Sequence, residues 1–332
     1  MKIDVFAHFL PKKYADVLHK KAEEQVRMWA GNRNPGLSQI DVRLRIMEMY
    51  PDVTQVLTVA TPPLETLVTT SEAIELARIA NDEMAEVVTK YPNRFLSAAA
   101  CLPLGDIDEA IKEADRAITQ LHFRGIQMFT AINGEPLGAE KFKPLYERMA
   151  QHDLPIWIHP WFRATSAAGD LVTNAARGVD WPFETSVAMG SLALSGVFED
   201  YPNIKFITHH CGGMVPFFSR RIAMPGWEKG VQRATGKVIT GEKKSKVVAN
   251  YRKFYTDTAV YGNSSALMCG YDYFGVDRLL FGTDMPLGGG ESSGGYRCTQ
   301  ETIRSIEEMD ISAVEKDKIF EDNAKRLLKL EP

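Results

Sequence analysis

Eight short apolar runs, at residues 2–5, 55–60, 96–101, 125–128, 155–159, 204–208, 254–257 and 278–281, are separated by longer stretches, several with helical amphipathic spacing. Continuous rather than alternating apolar runs belong to strands covered on both faces, as in parallel α/β folds. Over residues 71–91, for instance, Ile74, Ala77, Ile79 and Val87 interleave with Glu72, Glu75, Arg78 and Lys90, with Ser71 as N-cap and Pro92 as the stop. Further helices are expected over 106–121, 139–152, 182–198 and 263–274. Eight βα units in series predict an α/β chain closed into a (β/α)8 TIM barrel. A doubly wound open sheet fits less well, because the turn after the first run, AHFLPKK, has no glycine for a dinucleotide phosphate.

Three connections are too long for simple turns: 12–50, 161–181 and 225–253 are insertions expected to cover the C-terminal mouth or build a subunit contact. The tract PLGGGESSGG, residues 286–295, reads either as a lid or as a surface loop without a role, and with no following GK[ST] it is a poor phosphate cradle. One domain over residues 1–332 is expected. A formal charge of −4 and a pI near 6.0 provide no basic face for nucleic acid or anionic lipid. The chain enters a strand at Lys2 without a charged-then-apolar leader, and no apolar run approaches the roughly 20 residues of a membrane span, so a cytoplasmic protein is expected. Cys101, Cys211, Cys269 and Cys298 form no CxxC pair and are read as reduced thiols.

The chemistry gathers at strand ends. His8 closes the first run, His159 the fifth, and Asp284 follows the eighth in LLFGTDMP. Each alone has a structural reading: a hydrogen-bonded histidine, or a turn or N-cap aspartate. Three ligand-type residues at three strand ends, in a chain with seven histidines, point instead to a divalent metal site at the barrel mouth. Side chains alternate along a strand, which puts Asp4, Phe6 and His8 on one face. After the sixth run, ITHHCGG offers His209 and His210, of which alternation allows only one to face the mouth. His19, His122 and His152 lie in charged or helix-terminal contexts and are assigned to the surface.

KIDVFAHFLP, YPNRFLSAAACLPL, IWIHPW, FETSVAMGSLALSGVFEDYPNIKFITHHCGGMVPF, FYTDTAVYG and LLFGTDMPLG follow one another in an order and spacing that resembles the amidohydrolase superfamily nearly end to end. The branch is the one containing aminocarboxymuconate-semialdehyde decarboxylase and the hydroxybenzoate decarboxylases. The resemblance implies a barrel with one divalent metal, zinc or alternatively manganese, held by an HxH pair, a fifth-strand histidine and an eighth-strand aspartate. By position, His8 is the second member of the pair, while His159 and Asp284 are the other ligands. His210, rather than His209, matches the active-site histidine that holds the reacting water or donates a proton. Arg221, in SRRI, matches an arginine that reaches a substrate carboxylate in a neighbouring subunit, which implies a homodimer. Two departures stand out. Phe6 occupies the first place of the HxH pair, and the segment carrying a second substrate arginine is shortened, leaving Arg27, Arg43 and Arg45 as alternatives.

Three functions are expected from such a site. The first is a non-oxidative decarboxylase for a small unsaturated or aromatic carboxylic acid, in which His210 or Asp284 supplies a proton, Phe6 and Trp161 form an apolar wall, and Arg221 orients an anionic group. The second is hydrolysis or hydration by a metal-activated water, with Asp284 accepting its proton and His210 stabilising the oxyanion. The third is a metal-free, catalytically silent barrel, for which Phe6 is the motive.

Overall fold

The computed structural model describes residues 1–21, 34–59, 63–161, 173–226, 229, 232–233, 238, 240–287 and 295–330, with only the backbone at 173–177. Its parallel strands form two arcs, and a short antiparallel hairpin pairs Ala131–Ile132 with Glu135–Pro136. In the first, β1 (Lys2–Phe9) pairs with β2 (Val53–Val59), and β2 with β3 (Phe95–Ala98). The second runs β4 (Ile126–Phe129), β5 (Ile156–His159), β6 (Phe206–Thr208) and β7 (Tyr255–Thr256).

Isolated pairings join the arcs where regular ladders stop. Ala100 bridges to Ile126 at one seam, and Thr256 to Leu279 at the other. Beyond Leu279 the chain reaches β1: Val5 N donates to Phe281 O at 2.9 Å, Asp284 N to Phe6 O at 3.0 Å and His8 N to Met285 O at 2.7 Å. The eighth strand expected at 278–281 is therefore an extended segment without a ladder of its own, and Arg278 belongs to the preceding turn Val276–Arg278. Strand order still follows chain order around the barrel, as the (β/α)8 architecture requires.

Local chemistry sets the helix limits. The helix Thr70–Lys90 starts one residue earlier than expected and is capped by Thr69, not Ser71, because Thr69 and Glu72 make reciprocal capping-box bonds. Asp106 and Asn263 cap Ile107–Thr119 and Ser264–Phe274 with a one-way bond, each side chain accepting a backbone N–H. Thr173–Ser195 runs through Pro182, where a start was expected, and Gly196 at φ 91° ends it. Among the described residues of the insertion 12–50 are the helices Lys12–Lys21 and Ile40–Glu48, the second of which carries Arg43.

Most buried apolar side chains lie between strands and helices. A smaller cluster fills the barrel interior, where Ile3, Val5, Phe6, Val56, Trp157, Ile207 and Leu280 from five strand segments meet. Trp157 Nε1 donates across it to Val5 O at 2.8 Å. A register shift between Asp4 and Ala7 breaks strict alternation in β1, which lets the consecutive Val5 and Phe6 both join the interior. Ala324, Leu327 and Leu328 of the helix Asn323–Leu328 complete this cluster.

Candidate metal centre

Strand ends bring His8 to within 2.9 Å of Asp284 and into one group of donor atoms with His159 and His209. His8, on β1, is fully buried; its Nδ1 is 3.0 Å from Thr58 Oγ1, which leaves Nε2 for the mouth. That Nε2 lies 2.9 Å from Asp284 Oδ1 but without hydrogen-bond geometry, so among the described residues it is a buried nitrogen with no hydrogen-bond partner. His159 Nδ1 lies 2.7 Å from Pro160 O. A carbonyl can only accept, so Nδ1 carries the proton and Nε2 the lone pair.

Asp284 has φ 61°, and its second oxygen, Oδ2, accepts from the Tyr261 hydroxyl at 2.6 Å. Tyr261 is half exposed at the ring while its hydroxyl end turns inward onto this carboxylate.

Both histidines of ITHHCGG join the centre, contrary to the expectation that only one could. His209 is the last extended residue, and His210 then turns at φ 54°, so strand alternation does not govern the pair. The imidazole of His209 is gripped from three directions. Its Nδ1 pairs with Asp257 Oδ2, its Nε2 lies 3.4 Å from Asp284 Oδ1, and its ring stacks on Phe6 with centroids 3.9 Å apart and planes 9° from parallel. His210 stacks between His209, at 3.8 Å, and Trp181, at 6.1 Å, and its Nδ1 is buried without a hydrogen-bond partner among the described residues.

Burial and charge divide these groups. Burial lowers His8 and His159, the latter well below the ordinary histidine range, and both stay neutral at pH 7. Burial, reinforced by the charge of His209, pushes His210 down to about 3. Burial would also lower His209, but the facing Asp257 and Asp284 carboxylates outweigh it and raise it to about 10. Asp284 would be raised by burial, yet the hydrogen bond and charge of His209, with the His8 nitrogen close by, hold it well below the carboxylate range.

Other expected residues lie elsewhere or play other parts. Phe6 is fully buried and forms the plate under His209. Trp161 lies just past His159, its backbone N–H donating to Thr130 Oγ1 at 2.9 Å. Arg221 is exposed on the short helix Ser219–Ile222 and makes no contact with the cluster among the described residues. Arg43 is fully buried; it donates from Nε to Gln55 Oε1 at 2.8 Å and from NH1 to His8 O at 2.5 Å, so it supports the His8 backbone. Arg45 is exposed, and Arg27 lies outside the described residues, as do most of the tract 286–295 and residues 162–172 of the second insertion. His122 is exposed, His19 and His152 are half-buried, and none of the three joins the cluster. Sequence reasoning missed Asp257, Tyr261 and the part taken by His209. Asp257 and Tyr261 stood in the quoted segment FYTDTAVYG, but no spacing rule marked them as partners of other strands' residues.

The donor set suits a divalent ion. Ligand atoms of His8, His159 and His209 lie within 4.8 Å of one another, as do those of His209, His210 and Asp284. Imidazole nitrogens with a carboxylate oxygen favour zinc, manganese or iron over the all-oxygen cations.

A barrel with buried imidazoles and a carboxylate meeting at its strand ends has the layout of a metal-dependent barrel enzyme. The chain belongs to the amidohydrolase family, whose model matches residues 3–330. It is 30% identical to gamma-resorcylate decarboxylase of a Polaromonas species over 317 residues, covering 91% of each chain. It is also 27% identical to 2-amino-3-carboxymuconate-6-semialdehyde decarboxylase of Dictyostelium discoideum, covering 100% of this chain and 92% of that one. Among solved structures, a Polaromonas dihydroxybenzoic acid decarboxylase with bound manganese and the inhibitor 2-nitroresorcinol superposes with a TM-score of 0.78 at 26% identity, covering 99% of this chain and 97% of that one. The 5-carboxyvanillate decarboxylase of Sphingomonas paucimobilis shares the fold, with a TM-score of 0.83 at 23% identity and 99% coverage of both.

Proposed function

We propose that this protein is a metal-dependent, non-oxidative decarboxylase acting on a small unsaturated or aromatic carboxylic acid. The observation that carries the reading is the unpaired, buried His8 Nε2 facing Asp284 Oδ1 at 2.9 Å. An unmet donor atom deep in a protein needs a partner, and a cation satisfies nitrogen and carboxylate together. The relatives matching over nearly the whole chain are decarboxylases, which favours this reaction over hydrolysis, hydration or a silent barrel.

His8, His159 and Asp284 would hold the ion, with zinc as the expected metal. Bound there, it supplies positive charge for the substrate carboxylate or a neighbouring hydroxyl. The remaining steps belong to the chain's own residues. The bond to the carboxyl carbon breaks, its electron pair stays on the ring or vinyl carbon, and carbon dioxide leaves. That carbon takes a proton through Asp284 or His210. Asp284 is ionised at rest, so it must first be loaded with a proton, and the Tyr261 hydroxyl from which it accepts, at 2.6 Å, is a protonated group in reach. Phe6 and Trp161 provide apolar walls, which favour a step that converts a charged carboxylate to neutral carbon dioxide.

Arg221 would orient an anionic group on the substrate bound in a neighbouring subunit. Supporting a homodimer, it lies beside Phe217, Phe218 and Met224, which are 77%, 43% and 55% exposed. Apolar side chains so grouped mark an association surface. The unit acting is one barrel domain over residues 1–332. Among the described residues no helix is long and apolar enough to cross a membrane, and with no disulfide joining Cys101, Cys211, Cys269 or Cys298 a reducing cytoplasmic setting is proposed.

The test is turnover of 2,6-dihydroxybenzoate and 5-carboxyvanillate by zinc- or manganese-loaded protein in 18O-labelled water. Carbon dioxide release without label in the organic product is expected. Labelled organic product, or a native metal content below about a tenth of an equivalent after metal loading, would remove this reading.

A further inference from the structure

His209 was expected to face away from the site, yet it belongs to both groups of side chains whose donor atoms lie within 4.8 Å of one another. Its surroundings treat the imidazole as a ligand is treated. Metal-bound histidines commonly pass their second ring N–H to a carboxylate, which fixes ring orientation and tautomer. Here Asp257 Oδ2 pairs with His209 Nδ1, while Asp257 Oδ1 is itself held by the backbone N–H groups of Cys211, at 3.2 Å, and Ala259, at 3.1 Å. The carboxylate is therefore anchored before it meets the histidine. Phe6 fixes the ring plane from below, at 3.9 Å. Gly282 is shaped by the same arrangement: a Cβ there would stand 2.7 Å from Asp257 Cβ and 3.3 Å from Phe6 Cβ. With Nδ1 occupied, only Nε2 remains, and it points to the Asp284 oxygen that also faces His8.

We propose that His209 is a metal ligand, so that the divalent ion is held by three imidazoles, His8, His159 and His209, together with Asp284, while Phe6 serves as the plate that orients the third imidazole. The assignment rests on the metal-dependent reading above. It explains how a phenyl ring can stand at position 6 beside a metal centre: the donor lacking on β1 comes from the end of β6. It also gives Asp257 a definite task as the positioning residue of His209.

The assignment is tested on cobalt and manganese binding, which needs no substrate. X-ray absorption of the cobalt-loaded wild-type protein is expected to count three imidazole ligands, and two would overturn the assignment without any mutation. By titration calorimetry, His209→Asn is expected to weaken cobalt binding by at least about 100-fold, and Asp257→Asn by about 10- to 100-fold. His159→Ala reports on the metal site as a whole, and circular dichroism verifies folding of each variant. If His159→Ala abolishes binding while His209→Asn stays within threefold of wild type, the metal reading stands and His209 is not a ligand. If wild-type protein takes up no cobalt or manganese, the metal reading itself fails and this assignment with it.

Discussion

Asp4 and Asp284 lie either side of Thr283 in space, and burial pushes the pKa of both up, yet the two end shifted in opposite directions. Asp4, near the start of β1, accepts from the Thr283 hydroxyl at 2.6 Å, from Thr283 N at 3.0 Å and from Phe6 N at 3.2 Å. Burial outweighs those bonds and the nearby Arg43, so its pKa is raised. Asp284 meets imidazoles instead, and His209 and His8 reverse the effect of burial and keep it ionised. The first carboxylate ties the eighth strand segment to the first, and the second is left charged for a cation. What separates a structural acid from a functional one here is the partners and not the depth.

The sharpest test of that contrast is to remove each charge in turn. Asp284→Asn is expected to lower decarboxylation by about 1,000-fold or more and to reduce bound metal, whereas Asp4→Asn, which preserves shape, should keep turnover within about tenfold. Steady-state carbon dioxide release and metal analysis measure both, and equal losses would erase the distinction.

Next comes Arg43, the buried cation on the Asp4 side. Arg43→Met should cost about 3–5 kcal/mol of stability in urea unfolding, because it strips the His8 carbonyl and Gln55 of their donor inside the protein. Exposed Arg45→Ala should stay within about 0.5 kcal/mol.

A smaller effect is expected on the Asp284 side from Tyr261→Phe. Loss of one hydrogen bond to a charged carboxylate, about 1.5–3 kcal/mol, should lower kcat/KM by about 10- to 100-fold and lower urea stability by no more than that amount. An unaltered kcat/KM would mean that Tyr261 does not hold Asp284 for the reaction.

The smallest effect is a slope. His210 is lowered from 6.5 to about 3, so between those pH values the unfolded chain binds a proton that the folded chain refuses. Stability should therefore fall as pH drops through this window, and above 6.5 the residue contributes no pH dependence. In chelator-treated protein, His210→Gln should flatten this acid limb in urea midpoints measured from pH 7 to 4. An identical slope would show that the proton is taken up elsewhere.

Much of this was legible in the chain. Seven of the eight apolar runs named strands to within about four residues, because a strand covered on both faces must be apolar throughout, while the eighth lacks a ladder of its own. His8, His159 and Asp284 stood out because each terminates such a run. Ser71 lost the capping role to Thr69 because reciprocity with Glu72, rather than proximity to the apolar pattern, selects the cap. Arg43 could not be told from Arg27 or Arg45, since whether an arginine faces solvent or a buried carbonyl depends on the path of the insertion carrying it.

Sequence by itself thus determined the layered barrel order and three of the meeting side chains, because periodicity and strand termini are local properties of the chain. Only the tertiary structure decided the rest: which of two adjacent histidines faces the centre, which carboxylate holds it, and which hydroxyl restrains Asp284. His210 leaves the strand at φ 54°, and Asp257 and Tyr261 arrive from the seventh strand and its loop, so these contacts depend on how distant segments pack against one another.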